Sequence, residues 1–292
     1  AEVVVDCTAD ADVAASAGVP FRQGDSTDGR IQVCNFRWSL GGVDREASAQ
    51  AAMSPEELER LFAEAVRSGE ICPPEALFAQ PAATFPYAGA ERGLVLGNWE
   101  LQGIDPTDAC QVSRALAQCQ LAALQIVRFC RRRLAGYGNC RIERFPTTLG
   151  TRESRRIVGR YTLTGGDVLA GAKFPDGAVR AWFWIDFHDP PPGCTIPHGL
   201  EYLKAHQPPP GDWYEIPYRC LVPEQIEGLL VAGRCLSAER EALASLRVMP
   251  TCMFTGTMAG LAAARAVEQH IQPGAVDGAW LKQALADCEE AG

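Results

Sequence analysis

The chain reads as a mixed α/β protein, of α/β or α+β class, and three observations predict it. Residues 54–69 and 108–134 carry apolar side chains at helical spacing. Residues 156–163 and 179–187 alternate or are rich in β-branched and aromatic residues, as sheet segments are. A short apolar run, Leu229-Leu230-Val231-Ala232, stands between Gly228 and Gly233 as a buried strand does. Strand segments interleaved with long helices predict layers of both kinds around a common core.

Each element has its own signals. The opening AEVVVDCTADAD predicts a strand at Val3–Val5 running into a polar turn. In the helix from Ser54 to Gly69, Ser54 and Glu57 form a capping box, Pro55 takes the first helical position and Gly69 stops the turn. Leu58, Leu61, Phe62, Ala65 and Val66 are its apolar stripe. The Pro- and Ala-rich stretch Cys72–Gly93 predicts a surface crossing. A second helix covers Asp108–Leu134, with Val112, Leu116, Cys119, Ala123, Val127 and Cys130 on one face. Arg131-Arg132-Arg133 in its last turn complement the negative helix end. The stretch Pro190–Pro210 predicts loop, and helices are expected over Thr255–His270 and Asp277–Glu290.

The 292 residues carry a formal charge of −9, which argues against a nucleic-acid partner, where a basic face is expected. No apolar run approaches the ~18 residues of a membrane span, and the first residues lack the basic and apolar regions of an uncleaved signal peptide. Twelve cysteines occur without any C-x-x-C pair, so the sequence predicts no metal site and structural thiols in a reducing cytoplasm. His188 is the best acid–base candidate, because imidazole titrates near neutrality and Asp186 or Asp189 stands within reach to orient it. His198, His206 and His270 read as ordinary surface residues.

Several blocks then add up to a resemblance. VVVDCTADADVAASAGVPF resembles a D-A-T-G-D-G-D-V-A-x-x-A-G-x-P-F segment. FRWSLGGVD, LGTRESRRIVGRYTLTGGDVLAGAKFPD, WIDFHDP and LLVAGRCLSAEREALASLRVMPTCMFTGTMAG look like the blocks that follow it, in the same order, from Val3 to about Val267. These are blocks of FAD-dependent oxidoreductases in the glutathione-reductase and fumarate-reductase superfamily, in a branch loosely labelled xanthan-lyase-like. The resemblance implies a partial FAD-binding Rossmann-like domain, over residues 1–35 and 215–292, plus a mixed α/β substrate or cap region over 36–214.

The chain departs from that pattern in three places. It contains no G-x-G-x-x-G, so the dinucleotide-binding βαβ unit is expected from another polypeptide, or to have been cleaved or omitted. Ala9 and Ala11 replace both glycines of the D-A-T-G-D-G-D segment, and Arg240 stands where many members have His.

The resemblance implies a role for each matched position. Thr8, Ala9, Asp10 and Asp12 would lie beside the ribityl and pyrophosphate portion of FAD, and Gly233 and Arg234 would end the strand beneath the isoalloxazine. Thr251, Cys252, Gly256 and Met258 would lead into a helix whose N-terminus faces the polar edge of the ring. Arg152, Arg155 and Arg240 would bind a small polar organic substrate, with Arg247 and His188 at the reacting end. The implied activity is hydride transfer between that substrate and flavin, as one component of an assembly with a partner polypeptide or a homo-oligomer. The alternative is a non-catalytic subunit or remnant that keeps the fold and no longer binds FAD.

Overall fold

The computed structural model describes residues 1–51, 53–77, 87–88, 95–188 and 200–291. Asp189, Cys194 and His198, with residues 78–86 and 89–93 of the expected crossing and 190–199 of the expected loop, lie outside the described residues. The chain has the α/β class that its sequence predicts, divided into two compact units: Ala1–Gln32 with Arg152–Gly292, and Val33–Thr151.

The first unit is nucleated by a parallel pair of strands from opposite ends of the sequence. Val4–Asp6 lies in register on Leu229–Val231, with Val4 opposite Leu229 and Asp6 opposite Val231. Two antiparallel pairs, Phe21–Arg22 with Arg156–Ile157 and Gly177–Ala181 with Tyr214–Pro217, are its other strands among the described residues. Helices Arg240–Leu246, Met249–Gln269 and Gly278–Ala291 pack Leu243, Met258, Ala262 and Leu281 against Val179, Tyr214, Ile216 and Leu230. Of two short helices, Asp12–Ser16 starts after left-handed Ala11 without a side-chain cap, and Gly165–Ala170 starts at a reciprocal capping box of Thr164 and Asp167.

Among the described residues the second unit has a four-stranded antiparallel sheet in the order Tyr87–Ala88, Val95–Leu101, Cys34–Gly41, Arg141–Arg144. Helices Pro55–Arg67 and Ala109–Arg133 bring Phe62, Ala65, Ile126 and Phe129 to the core that Phe36, Trp38, Leu40 and Trp99 form. The Ser54–Glu57 capping box is present, and Asp108 caps the longer helix through the N–H groups of Cys110 and Gln111.

Four expectations need correction, the first being the loop expected over Pro190–Pro210, whose described part holds a helix, Leu200–Ala205. The helix expected from Thr255 starts at Met249: Val248 is extended, and Pro250 fits the first turn, where its missing N–H costs nothing. The sheet segment expected over Val179–Phe187 ends at Ala181, where its partner strand Tyr214–Pro217 also runs out; beyond it Phe183 and Trp184 stack and Ile185 N–H bonds to His206 O instead. Of the segment 156–163 only Arg156–Ile157 is a strand, with single bridges at Gly159 and Leu163. Among the described residues no helix is long and apolar enough to cross a membrane, and no group of three or more His, Cys, Asp or Glu could hold a metal ion.

Candidate functional site

Because the two parallel strands share a register, both chain segments leave the sheet together at its carboxyl end, the end at which open α/β sheets bind ligands. Asp6, almost fully buried, organises the first exit. Its carboxylate accepts from Thr8 N–H (2.9 Å), Thr8 Oγ1 (2.7 Å) and Ala14 N–H (2.8 Å), and Thr8 Oγ1 accepts in turn from Asp12 N–H at 2.9 Å. The turn so formed holds Ala9 at φ 70° and Ala11 at φ 54°, the left-handed region that favours glycine. The backbone therefore has the shape of a glycine turn although methyl groups occupy it. At the second exit Gly233 has φ 85°, and a Cβ there would meet nothing within 4 Å. Its N–H donates to Thr255 Oγ1 (3.0 Å), which fastens the end of the strand to the Met249–Gln269 helix.

The arginine-rich block joins these exits. Arg234 binds Asp10 Oδ1 at 2.8 Å and Ser154 Oγ at 3.4 Å, and Ser154 Oγ donates to Ala9 O at 3.3 Å. Arg155 donates to Asp10 O (3.2 Å) and Asp12 Oδ1 (2.8 Å). One residue back, Glu153 is completely buried and accepts from Gln32 N–H, from Arg156, and from Arg240 through Nε and Nη2 at 2.9 and 3.0 Å. Arg240 also reaches Asp25 (3.1 Å) and lies over the Phe187 ring. The Thr27 hydroxyl and N–H, with a smaller contribution from Arg240, hold the Asp25 carboxyl down at about 2. An ion network this dry survives only because every charge has a partner.

The third cluster contains His188. Its Nε2 lies 3.0 Å from Asp186 Oδ1, and its backbone N–H donates to Gln32 Oε1 at 3.2 Å. Arg247 donates through Nη2 to Asp186 O (2.8 Å) and Oδ2 (3.1 Å). Burial pushes the Asp186 carboxyl up, but the hydrogen bond from His188 and the charges of His188, Arg247 and Arg152 outweigh it and leave the group below its ordinary value. Burial lowers the Arg247 guanidinium to about 10 against the opposing pull of Asp186. Cys252 lies within the fields of both Arg234 and Arg247, yet burial raises its thiol to about 11, so it stays neutral.

The sequence-predicted residues are thus brought to one unit but not to one environment. Thr8, Ala9, Asp10, Asp12, Gly233, Arg234 and Arg155 surround the strand ends, whereas Asp186, His188 and Arg247 form a separate triad, with the charge of Arg152 acting on it. Arg240 is buried in the Glu153 network. Thr251, Cys252, Gly256 and Met258 lie within the helix rather than ahead of it: Met258 is in the core, Thr251 is buried, and a Cβ at Gly256 would meet nothing within 4 Å. The first turns of that helix expose Met249 (78%) and Met253 (70%). Sequence reasoning missed Gln32, Ser154 and Thr255. Ser154 had a signal, its place inside the R-E-S-R-R block, and Thr255 was read only as the opening of a helix; Gln32 had none.

A family model for FAD dependent oxidoreductases matches residues 1–285. No curated protein and no solved structure matches the chain. With nearly its whole length matched, the chain belongs to the FAD dependent oxidoreductase family, for which FAD is the cofactor.

Proposed function

We propose that this chain supplies the flavin-side and substrate-side residues of an oxidoreductase that moves a hydride between a polar organic substrate and FAD. The observation that carries the reading is a chain of contacts: Gly233, next to Arg234, donates to Thr255 Oγ1, Thr255 donates to Cys252 O, and half-buried Cys252 reaches Leu246 O, next to Arg247. This chain of contacts supports reading the two clusters as adjoining cofactor and substrate sites.

The residues fit a flavin on structural grounds. The left-handed turn at Ala9 and Ala11 has the backbone shape of a glycine turn beside Thr8 and Asp10, and Gly233 and Gly256 border open space. In this reading residues 1–35 and 215–292 hold the flavin and the Arg152–His188 part of 36–214 faces the substrate. Thr8, Ala9, Asp10 and Asp12 would line the ribityl and pyrophosphate portion, with Gly233, Arg234, Thr251, Cys252, Gly256 and Met258 supporting the ring, Met258 from within the core. FAD, when bound, accepts or returns the hydride. His188 takes up the substrate proton at its imidazole, which Asp186 holds through Nε2, and Arg247 holds an anionic or hydroxylated group, with Arg152, Arg155 and Arg240 supporting that side. A strand–G-x-G-x-x-G–helix unit outside these residues, on a partner polypeptide or on the same one, would complete the adenine half of the site. The buried free thiols Cys119, Cys130, Cys220 and Cys235 support a reducing compartment such as the cytoplasm.

A visible spectrum of the purified assembly tests the cofactor, and His188→Ala tests the chemistry. Turnover should fall about 10²–10⁴-fold with flavin content unchanged. Arg247→Lys should also be harmful, since a point charge does not reproduce a planar fork. Full activity of His188→Ala at normal flavin content would end the acid–base assignment. The methyl groups on the Ala9–Ala11 turn favour a second reading, a subunit that keeps the fold without the cofactor; it predicts no flavin bands with any partner.

A further inference from the structure

We infer that Gln32 is a substrate-positioning residue of the His188 site, and that it and Arg247 together take a carboxylate. Resting on the reading above, the inference adds a residue and narrows the substrate class.

Gln32 is 1% exposed. Its backbone N–H is held by Glu153 Oε2 (3.0 Å) and its Oε1 accepts from His188 N–H (3.2 Å), so the orientation of the side-chain amide is fixed. That leaves Nε2, a two-proton donor, buried without an acceptor. Arg247 grips the same short segment, giving Nη2 to Asp186 O and Oδ2, and its Nε is likewise buried without an acceptor. Trp38, Arg156 and Trp213 hold the other buried nitrogens of this kind among the described residues. Only the pair at Gln32 and Arg247 grips the stretch from Asp186 to His188 from both ends.

An unmet buried donor is costly, so two of them on one segment point to acceptor oxygens that arrive with a ligand. Both groups only donate, and one is cationic. A hydroxyl would bring a proton of its own to this donor-lined place, whereas a carboxylate offers two oxygens that only accept. Asp186, already committed to His188 and Arg247, cannot fill the role. The Glu153 network thereby gains a function: by fixing Gln32 it fixes both the backbone of His188 and one substrate-facing donor.

Malonate is the probe. Calorimetric titration of the purified protein should show binding that weakens about tenfold or more in Gln32→Glu, in Gln32→Met and in Arg247→Lys, the loss expected of one buried hydrogen bond. In an ¹⁵N NMR spectrum of the wild-type protein, malonate should shift the Gln32 side-chain NH₂ signals, which stands even if a variant fails to fold. Unchanged malonate affinity in both Gln32 variants, unshifted signals because water fills the place, or no malonate binding to wild type would each overturn the inference. The visible spectrum reports flavin separately. Gln32-dependent malonate binding, with no flavin bands even when the G-x-G-x-x-G unit is supplied, would sink the oxidoreductase reading and leave the carboxylate site standing.

Discussion

At the scale of single residues, the turn after the first strand stores strain whose size decides what a substitution does. An L-residue in the left-handed region costs roughly 1–2 kcal/mol, and Ala9 and Ala11 both adopt it. Glycine relieves that cost but loses about 0.5–1 kcal/mol to chain entropy. At half-buried Ala9 relief wins, and Ala9→Gly should stabilise the protein by about 0.5–1 kcal/mol in a denaturant titration. Ala11 is fully buried beside Ala14, Val19 and Val231, so removing its methyl also forfeits about 0.8 kcal/mol of burial and Ala11→Gly should be close to neutral. Equal stabilisation at both positions would contradict this account. The largely buried Asp186–His188–Arg247 triad makes a second prediction, in pH. The Asp186 carboxyl is held below its ordinary value in the folded protein, so the stability it confers is fully present above about pH 4 and is lost as pH falls through the lower folded value. Asp186→Asn, which leaves Arg247 without its counter-charge, should cost about 3 kcal/mol at neutral pH. The gap to wild type should close in acid, and a gap that stays constant down to pH 2 would refute the linkage. The His188–Asp186 pair was legible because its members are two residues apart. The Arg247–Asp186 and Gln32–His188 contacts were not, because they join positions 61 and 156 apart.

At the scale of elements, junctions matter more than the elements they join. Ser54–Glu57 and the glycine-flanked run at Leu229 were readable because capping and burial signals are local. The start of the Met249–Gln269 helix was not, because Thr255-Gly256-Thr257 imitates a cap while the actual N-cap, Val248, makes no side-chain cap bond and only Pro250 in the first turn marks the start. Thr255 serves the tertiary structure: fully buried, it accepts from Gly233 N–H and donates to Cys252 O at 2.7 Å. Thr255→Val keeps the shape and removes both bonds, leaving a glycine N–H at the strand end without its acceptor. The expected loss is about 1–3 kcal/mol, with faster amide exchange at Gly233 than elsewhere in the strand. Unchanged exchange at Gly233 would show that the helix does not anchor the strand. The sheet segment around Val179 failed for the converse reason, since alternation shows that a strand can form but not where its partner ends.

At the scale of the whole molecule, the sequence boundaries and the compact units differ mainly over residues 152–214. Those residues pack with the chain termini through contacts no compositional shift announces, among them Glu153 with Gln32 and Arg155 with Asp12. The resulting unit has an unfinished look at its nucleus. The parallel sheet has only two strands among the described residues, Val4 is partly exposed on it, and Met249 and Met253 open onto solvent from the helix fastened to its end. Parallel sheets are ordinarily covered on both faces, and an open edge is a template for a further strand. On the proposed reading the missing neighbour is a strand–G-x-G-x-x-G–helix unit. Such a unit, linked ahead of Val4 or added as a separate polypeptide, should increase FAD retained through gel filtration and slow amide exchange at Val4–Asp6. Replacing the exposed methionines by Met249→Lys and Met253→Lys should weaken that association while leaving the fold of the chain, by circular dichroism, as it was. If the added unit brings neither flavin nor protection at Val4–Asp6, the open strand pair is a finished structure and the proposal of a shared cofactor site falls with it.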